Sequence, residues 1–272
     1  MTHSPPDLIA LLERHGLEAR RSLGQNFVVD PNTVRRIGRL SGVGKGTPVV
    51  EIGPGLGSLT LALVELGAEI TAVEVDRELV AVLREIVEPL GVRVVEGDAR
   101  EVDWNRLLAG HEAWHLVANL PYNIATPLII DLLRDVPAFT TMLVMVQREA
   151  GERLAAGAGD SEVGIPSMMV AYHGRASVVG RVPPTVFHPK PRVESVLVRI
   201  ERHVERPVSQ PLEAMEPLIR TAYGQRRKML RRSLAGVVSA EAFAAANVDP
   251  QARPETLDLA AWDRLAAAIG SS

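Results

Sequence analysis

Apolar runs and amphipathic segments alternate along the chain between residues 47 and 200. The strand-like runs are TPVVEIG, EITAVEVD, VRVVEGD, HLVANL and TTMLVMVQ, and the helical segments are SLTLALVELG, RELVAVLREIVEPL, TPLIIDLLRDV and REAGERLAAG. Several strand-like runs are apolar at successive positions, so both faces of those strands are expected to be buried. Strand and helix in turn predict an α/β fold with a parallel sheet covered by helices on both faces. Two further strand-like runs, RASVVGRV and ESVLVRIE, close this region.

The segment before the sheet is predicted to hold two helices. In SPPDLIALLERHG, Ser4 and Asp7 have the spacing of a capping box at the start of a short helix. A second helix is expected to open at Asp30, because proline is tolerated at the first helical position that follows it. A polar, basic loop, ARRSLGQNFVV, lies between the two helices, and its Arg20 and Arg21 are expected beside the mouth of a ligand site.

The character of the sequence changes near residue 203. RHVERPVSQP is polar and punctuated by proline, as in a linker. Four helical patterns follow it: LEAMEPLIRTAY, QRRKMLRRSLAG, AEAFAAAN and LDLAAWDRLAAAI. The chain is therefore predicted to divide into a sheet-containing domain over residues 1–203 and a small all-α domain over residues 204–272.

Composition narrows the class of protein. The chain has 272 residues, 46% of them hydrophobic, and no cysteine, which excludes disulfides, thiolate metal sites and cysteine nucleophiles. No signal peptide and no run of about 18 to 20 apolar residues is visible, so we expect a cytoplasmic protein without a membrane anchor. No H-x-x-E-H-like cluster is present, and no metal is expected.

Charge is unevenly distributed, which matters more for nucleic-acid binding than the net charge of −3. The segment QRRKMLRR is predicted to form a helix with a basic side that grips RNA phosphates, and a solvated basic face is the alternative. The residues of this basic segment are Arg226, Arg227, Lys228, Arg231 and Arg232.

A glycine-rich loop lies between the first strand of the alternating region and its helix, in VVEIGPGLGSLTLAL. Gly53, Gly55 and Gly57 give the spacing G-x-G-x-G, in which the third glycine comes one residue earlier than in a dinucleotide-binding loop. Glu51 stands just before the loop, where a carboxylate disfavours a pyrophosphate and suits a cation such as a sulfonium or an amino group. A nucleotide-like ligand is predicted here, with a plain tight turn as the alternative.

Two more acids end the next two strands of the predicted sheet. Glu74 ends EITAVEVD at the place where a carboxylate can accept both hydroxyls of a ribose. Asp98 follows VRVVEG and is a candidate partner for the amino group of a cofactor adenine, although an ordinary turn cap would use the same residue type.

The motif NLPY ends the fourth strand, beside the same edge. The amino group of a nucleobase is a poor nucleophile, because its lone pair is delocalised into the ring. Two acceptors that bind its two N–H groups favour the pyramidal geometry in which the lone pair is available. Asn119 Oδ1 and the Leu120 carbonyl are the candidate acceptors, Pro121 would hold that carbonyl outward, and Tyr122 would stack on the base. This is catalysis by orientation and polarisation, with no obligatory general base. The alternative is a strand-ending turn with an aromatic plug.

Taken together, these motifs resemble the S-adenosylmethionine-dependent rRNA adenine N6-dimethyltransferases. The resemblance rests on SLGQNF, EIGPGLGSLT, VEVD, GDA, NLPY and FHPKPRVESVLVRI, and the segments AYGQRRKMLRRSLAG and NVDPQARPETLDLAAWDRLA are similar to the branch that acts on 16S rRNA. It runs from about residue 20 to the C-terminus. It implies a Rossmann-like class I methyltransferase sheet, with S-adenosylmethionine as cofactor and 16S rRNA in the small ribosomal subunit or its precursor as partner.

The resemblance also implies roles for single residues. Contacts with the cofactor would come from Asn26, the Val28 backbone, Gly53, Gly55 and Asn119, with Glu74 on its ribose and Asp98 on its adenine. Asn119, Leu120, Pro121 and Tyr122 would hold the target adenine, and Phe187 would stack on the other face of that base. The alternative for Phe187 is a core aromatic. The family transfers two methyl groups to each of two adjacent adenines in a hairpin near the 3′ end of the rRNA, and we expect a monomer that serves ribosome biogenesis.

The chain departs from the family pattern over residues 157–169, GAGDSEVGIPSMM. A Lys and a Tyr expected there are absent, and Asp160, Glu162 and Val163 occupy the segment, which puts in doubt any RNA contact made by this loop. Three other functions stay open at this stage: an adenine methyltransferase acting on 23S rRNA, an assembly factor with little catalysis, and an NAD-dependent dehydrogenase, which the glycine spacing disfavours.

Overall fold

The computed structural model describes residues 2–20 and 23–270, so Arg21 lies outside the described residues. The strands are β1 (Phe27–Val28), β2 (Pro48–Ile52), β3 (Glu69–Glu74), β4 (Arg93–Glu96), β5 (Trp114–Asn119), β6 (Phe139–Gln147), β7 (Gly174–Val182), β8 (Phe187–His188) and β9 (Ser195–Arg202). The helices are α1 (Pro5–Arg14), α2 (Pro31–Ser41), α3 (Ser58–Glu65), α4 (Arg77–Val87), α5 (Trp104–Leu107), α6 (Ala125–Asp135), α7 (Arg148–Ala155), α8 (Ile165–His173), α9 (Leu212–Gly224), α10 (Leu230–Ser233), α11 (Ala240–Ala245) and α12 (Leu259–Gly270).

The structure contains both of the helices that were predicted upstream of the sheet. The capping box of α1 is present, because the Ser4 side chain accepts from the Asp7 N–H and the Asp7 carboxylate accepts from the Ser4 N–H at 3.0 Å. Asp30 caps α2 by accepting from the Thr33 N–H at 2.8 Å. Each carboxylate satisfies backbone donors that have no partner inside the helix, so the two helices begin where the sequence places them.

Seven strands form one sheet in the order β4-β3-β2-β5-β6-β9-β7. The pairs β3–β4, β2–β3, β2–β5 and β5–β6 are parallel. Successive residues of a strand point to opposite faces, and Val49 and Val50 of β2 are both 0% exposed. Both faces of the sheet are therefore covered, as the uninterrupted apolar runs predict.

One strand differs from the expected parallel arrangement. β9 is antiparallel to β6, with Gln147 opposite Ser195 and Thr141 opposite Glu201. α7, α8 and β7 lie between β6 and β9 in the chain, and β9 enters the sheet between β6 and β7.

A second, two-stranded sheet lies beside the glycine-rich loop. β1 and β8 pair antiparallel, with Phe27 opposite His188 and Val28 opposite Phe187. The Phe27 ring lies against Gly55, where an added Cβ would stand 2.8 Å from the ring atom Cε1. This small sheet, absent from the sequence prediction, holds residues 27–28 over the loop.

The chain divides by its internal contacts into two compact units. The first comprises residues 1–151 and 177–201, and the second comprises residues 152–176 and 202–272. The second long segment begins within two residues of the predicted boundary at 203, whereas residues 152–176 group with the second unit. That shorter segment contains α8, which the sequence prediction did not include.

The second unit is helical after residue 211, but one predicted helix is wrong. QRRKMLRRSLAG does not form a continuous helix, because α9 ends at Gly224, a turn follows over residues 225–228, and α10 begins only at Leu230. The N–H groups of Leu230 and Arg231 donate to the carbonyls of Ala252 and Pro250, at 2.8 and 2.9 Å. Donors used in this way cannot continue the hydrogen-bond ladder of α9, so the basic residues are divided between a turn and a short helix.

The described residues meet the requirements neither of a membrane-spanning helix nor of a metal site with three or more side-chain ligands. No helix within residues 2–20 and 23–270 is long and apolar enough to cross a membrane. Those residues also hold no group of three or more His, Asp or Glu side chains placed to bind a metal ion.

Candidate active site

The glycine-rich loop joins β2 to α3 at the carboxyl end of β2. Gly53, Gly55 and Gly57 have φ values of 68°, 58° and 81°, in the left-handed region that favours glycine. Gly57 stands at the N-cap of α3, and the Gly53 N–H donates to the Val73 carbonyl at 2.9 Å. The loop is therefore tied to β3 and turns tightly enough to bring main-chain atoms to the edge of a cavity.

Glu74, at the end of β3, is a buried carboxylate held by backbone donors. Its Oε2 accepts from the Gly55 N–H at 3.0 Å, and its Oε1 accepts from the N–H groups of Val75 and Asp76 at 2.9 and 3.0 Å. Burial raises the pKa of Glu74, and the three backbone bonds oppose that rise. A carboxylate has about four acceptor positions, so roughly one remains for a ligand hydroxyl.

Glu51, in β2, is the second buried carboxyl at this site and is 1% exposed. Its Oε2 has no hydrogen-bond partner among the described residues. Burial raises the pKa of Glu51 to about 8, and the nearby Glu74 carboxylate acts in the same direction. A group that binds Glu51 from the cavity therefore gains most if it is a cation or a hydrogen-bond donor.

Asn119, at the end of β5, has a fixed amide orientation. Its Nδ2 donates to the Asn26 carbonyl at 2.9 Å, and the side chain of Asn26 in turn donates to the Gly24 carbonyl at 3.0 Å. Because Nδ2 is the donor end of the amide, its use here leaves Oδ1 as the acceptor end that can serve a ligand. The segment before β1 thus orients the side chain of Asn119, the last residue of β5.

The turn that follows Asn119 packs closely against the same segment. Gly24 has a φ of 65°, and an added Cβ there would lie 3.1 Å from the Pro121 Cβ. The Pro121 carbonyl accepts from the N–H groups of Ile124 and Ala125, which leads into α6. Leu120 is 1% exposed, and its N–H donates to the Met145 carbonyl at 3.2 Å.

Tyr122 is anchored through its hydroxyl. The phenol oxygen lies 2.7 Å from Ser195 Oγ, at the start of β9, and Ser195 is 0% exposed. Burial raises the pKa of Tyr122. The sequence analysis did not assign a role to Ser195. The residue lies in FHPKPRVESVLVRI, one of the segments that carry the family resemblance, and that position was the available signal.

Asp98 stands at the edge of the site after β4. Its carboxylate makes a two-point ion pair with Arg100, with Oδ1 3.1 Å from Nε and Oδ2 2.5 Å from Nη2. This hydrogen-bonded pair holds the pKa of Asp98 below its usual range. The carboxylate is therefore charged and positioned before any ligand arrives.

One cavity brings these residues together within the first compact unit. It has an empty volume of about 950 Å³, counting the part that opens to solvent. The predicted site residues that line it are Asn26, Val28, Gly53, Gly55, Glu74, Asp98, Asn119, Leu120, Pro121 and Tyr122. The cavity also contacts Glu51 and Gln25, and a volume of this order suits a ligand of nucleoside size or larger.

Phe187 lies elsewhere. It is 4% exposed, belongs to a cluster of buried apolar side chains with Val34 and Leu197, and is not among the residues that line the cavity. The structure thus places Phe187 in the hydrophobic core, on β8 beside β1, and not on the wall of the cavity. Its role as a second stacking ring stays a prediction.

An ionic network that the sequence analysis did not foresee fixes the segment before β1. Arg20 pairs with Asp76 at 3.1 Å and with Glu78 at 2.6 Å, and the Gln25 side chain donates to Asp76 at 2.9 Å. Asp76 directly follows the Glu74-Val75 corner. Arg20 is therefore engaged with the N-terminal end of α4.

The basic residues of the second unit are not equivalent. Arg226 donates to the Ser161 carbonyl at 2.6 Å and lies 4.0 Å from the Glu255 carboxylate. Lys228 donates to the Gln225 side chain at 2.8 Å and is exposed. Arg227, Arg231 and Arg232 are also exposed, and no described acidic side chain forms an ion pair with any of these three or with Lys228.

The sheet with helices on both of its faces has the Rossmann-like fold of methyltransferases. Two solved structures share the fold. A dimethyladenosine transferase from Plasmodium falciparum has a TM-score of 0.75 and 23% identity, over 87% of this chain and 94% of its own. The 23S rRNA methyltransferase ErmE has a TM-score of 0.71 and 24% identity, over 90% of this chain and 99% of its own. The chain belongs to the ribosomal RNA adenine dimethylase family, whose profile matches residues 16–269.

Curated relatives are similar over nearly the whole chain. A ribosomal RNA small subunit methyltransferase A from Nocardia farcinica is 46% identical over 97% of this chain and 94% of its own length. Proteins of the same name from Leifsonia xyli and Sinorhizobium fredii are 44% and 40% identical, over 97% and 96% of this chain and 97% and 89% of their own lengths. The match therefore includes both compact units.

Proposed function

We propose that this chain transfers methyl groups from S-adenosylmethionine to N6 of two adjacent adenines in a hairpin near the 3′ end of 16S rRNA. The observation that carries the proposal is the fixed amide of Asn119, whose acceptor end is left for a ligand at the cavity. Relatives named as small-subunit methyltransferases, at 40 to 46% identity, favour this target over 23S rRNA. We further propose that the protein acts as a monomer, in the cytoplasm, on the small subunit or its precursor.

The target amine would be bound by two oxygen acceptors. Asn119 Oδ1 and the Leu120 carbonyl would each accept one N–H of the adenine N6 group and so favour the pyramidal form in which its lone pair is available. Because the Asn26 carbonyl already takes the Nδ2 donor at 2.9 Å, the amide need not reorient when the base arrives. Such preorganised polar groups lower a barrier without a general base.

The target base would leave its stack and lie against Tyr122. The bond between the phenol and Ser195 fixes one end of the side chain at 2.7 Å, so the ring has a defined plane. Stacking by Phe187 would require that side chain to turn out of the core, since it is 4% exposed. We therefore assign the base to Tyr122 and keep a supporting position under β1 for Phe187.

The residues that line the cavity fit S-adenosylmethionine. The unpartnered Oε2 of Glu51 suits a positive charge or an amine, and Glu74 has about one acceptor position left for a ribose hydroxyl. Asp98 would take the adenine amino group, and the main chain near Asn26 and Val28 the methionine part, with Gly53 and Gly55 giving close approach. When bound, the cofactor supplies an electrophilic methyl group.

RNA docking would use the exposed cations of the second unit. Arg227, Lys228 and Arg231 have no acidic partner among the described residues, so their charges are available to phosphates. Arg226 was predicted with them, and its bonds to Ser161 and Glu255 make its contribution the smallest of the set. We propose that residues 1–203 carry the methyltransferase activity and that residues 204–272 provide this docking surface.

The reaction and its target are tested together by methyl transfer from radiolabelled S-adenosylmethionine. The substrates are small subunits that lack the modification, matched modified small subunits and large subunits, with products mapped by mass spectrometry. Dimethyladenine on the unmodified small subunit alone is the expected result.

The other outcomes separate the rival functions. Label on the large subunit would assign the chain to the 23S rRNA enzymes. Binding of the small subunit without any transfer of label would make the chain an assembly factor.

A charge reversal tests the docking surface. Arg227→Glu with Lys228→Glu should weaken binding to small subunits. Log affinity falls as log salt rises, and the magnitude of that slope should decrease by roughly 0.7 to 0.9 for each phosphate contact removed. Arg226→Gln is the matched control and should change that slope less. An unchanged slope in the double variant would exclude this turn from RNA binding.

A further inference from the structure

A second group of exposed arginines lies in the first compact unit, where α2 meets the strand β7. Arg36 and Arg39 are three residues apart on α2, so they are neighbours on its outer side. The Arg36 Nη1 donates to the Arg181 carbonyl at 2.9 Å, which joins the helix to β7. We call the group Arg36, Arg39 and Arg181 the α2–β7 surface, and all three residues are exposed.

The charges of the α2–β7 surface are not neutralised within the described part of the chain. No described acidic side chain forms an ion pair with any of the three arginines. The adjacent Arg35 behaves differently, since it pairs with Glu65 at 3.2 Å. Arg36 and Arg39 have the helical spacing at which like charges repel one another weakly, so an anion bound beside them would be stabilised.

The backbone of β7 lies close to the Arg36 side chain. An added Cβ at Gly180 would stand 2.6 Å from Arg36 Nη2, so the guanidinium lies directly against the main chain of β7. The partly buried Arg199 donates to the Leu40 carbonyl, near the end of the same helix α2. A fourth guanidinium therefore adds to the positive potential of this face.

The strand under the surface is the last in its sheet. β7 follows β9 at the end of the strand order, so its other side is an edge with backbone groups available for pairing. Backbone N–H groups and arginines are both common donors to phosphate oxygens. Arginine binds phosphate through two parallel N–H groups, which makes clustered arginines well suited to a ribose-phosphate chain.

We propose that the α2–β7 surface binds phosphate groups of the folded small-subunit rRNA, outside the hairpin that carries the target adenines. This inference rests on the proposed function, which supplies a large RNA as the partner. It adds a docking surface on the catalytic unit to the basic turn of the second unit. The surface is distinct from the cavity, because none of its three arginines lines that site.

The test uses the full-length chain and unmodified small subunits. Arg39→Gln is the first variant, since no described residue forms a hydrogen bond or an ion pair with the Arg39 side chain. Arg36→Gln with Arg39→Gln is the second. Arg35→Gln, which removes an arginine already paired with Glu65, is the matched control. Binding is measured over a series of salt concentrations, together with KM, kcat and the affinity for S-adenosylmethionine.

Removal of one phosphate contact should decrease the magnitude of the slope of log affinity against log salt by roughly 0.7 to 0.9. Removal of two contacts should decrease it by about twice that amount. KM for the subunit should rise several-fold, while kcat and cofactor affinity stay at their wild-type values. Arg35→Gln should retain the wild-type slope. Equal slopes for all four proteins would overturn the proposal.

Two further outcomes are decisive. If Arg36→Gln with Arg39→Gln forms dimers while its salt slope is unchanged, the arginines guard a sheet edge and the RNA proposal is overturned. If the wild type binds subunits but transfers no methyl group, the proposed function fails, whereas a lower slope in the variants would still support the surface.

Discussion

The buried carboxyl of Glu51 makes a quantitative prediction about stability and pH. Glu51 is 1% exposed, and its pKa is raised from 4.5 to about 8 in the folded chain. A difference of about 3.5 pKa units corresponds to roughly 5 kcal/mol, at 1.36 kcal/mol per unit. That figure is the largest destabilisation that ionising this carboxyl can produce, because a local opening that lets in water would lower it.

The direction of the effect follows from proton binding. Between pH 4.5 and about 8 the folded chain keeps a proton on Glu51 that the unfolded chain releases. The contribution of Glu51 to the free energy of unfolding is therefore favourable below pH 4.5, falls as pH rises through this window, and becomes constant above about 8. Glu51→Gln keeps the shape of the side chain and cannot ionise, so it should be the more stable protein at pH 9.

The assay is chemical unfolding of the cofactor-free chain at pH 5, 7 and 9. Glu85→Gln, on the exposed side of α4, is the control for removing a surface carboxylate. We expect the wild type and the control to lose up to about 4 kcal/mol more than Glu51→Gln between pH 5 and pH 9, because part of the window lies below pH 5. Parallel pH profiles for all three proteins would refute the reasoning.

The same carboxyl links protons to cofactor binding. A positive charge beside Glu51 favours the ionised form, so binding of S-adenosylmethionine near pH 7 should release protons. Titration calorimetry in two buffers with different protonation enthalpies measures that release. Glu51→Gln should release fewer protons, and equal release by the two proteins would place the cofactor's charge away from this residue.

Three further substitutions test the rest of the site. Asn119→Ala should lower kcat by about 10²- to 10³-fold, as expected for loss of a preorganised polar group. Equilibrium dialysis should show that cofactor binding is retained, and wild-type turnover would exclude Asn119 as an acceptor for the target amine. Tyr122→Phe loses the bond to Ser195 and keeps the ring, so KM for the subunit should rise more than kcat falls, and loss of all activity would point instead to chemistry at the hydroxyl. Gly55→Ala meets the Phe27 ring at 2.8 Å with a φ of 58°, so cofactor affinity should drop at least tenfold, and an unchanged Kd would show that the loop can shift.

Much of the fold was predictable because local sequence patterns determine it. The capping box of α1 and the proline at the start of α2 require no knowledge of distant residues, and both helices begin as predicted. The apolar runs of β2 and β6 predict strands buried on both faces. QRRKMLRR was predicted wrongly because tertiary hydrogen bonds from Leu230 and Arg231 to residues 250–252 override its helical pattern.

The candidate site was partly predictable for the same reason. Residues at the ends of parallel strands meet at one edge of a sheet, so Gly53, Glu74 and Asn119 could be placed together from the motif order. The partners of those residues could not be placed, because the bonds Asn119–Asn26 and Tyr122–Ser195 join positions 93 and 73 residues apart. Such long-range pairs leave no periodic signal in the sequence.

The position of β9 has a consequence for synthesis of the chain. A ribosome that has made the first 150 residues has produced five parallel strands, with β6 at one end of the sheet and its apolar residues Leu143, Val144 and Met145 ready to pair. β9 joins β6 only after residue 202 has emerged, and Ser195 arrives with it to hold Tyr122. The glycine-rich loop and Glu74 can therefore form early on the nascent chain. The β1–β8 sheet, which holds residues 27–28 over that loop, and the side that receives the base are completed last. Until then an unpaired strand edge is open to aggregation or to a chaperone.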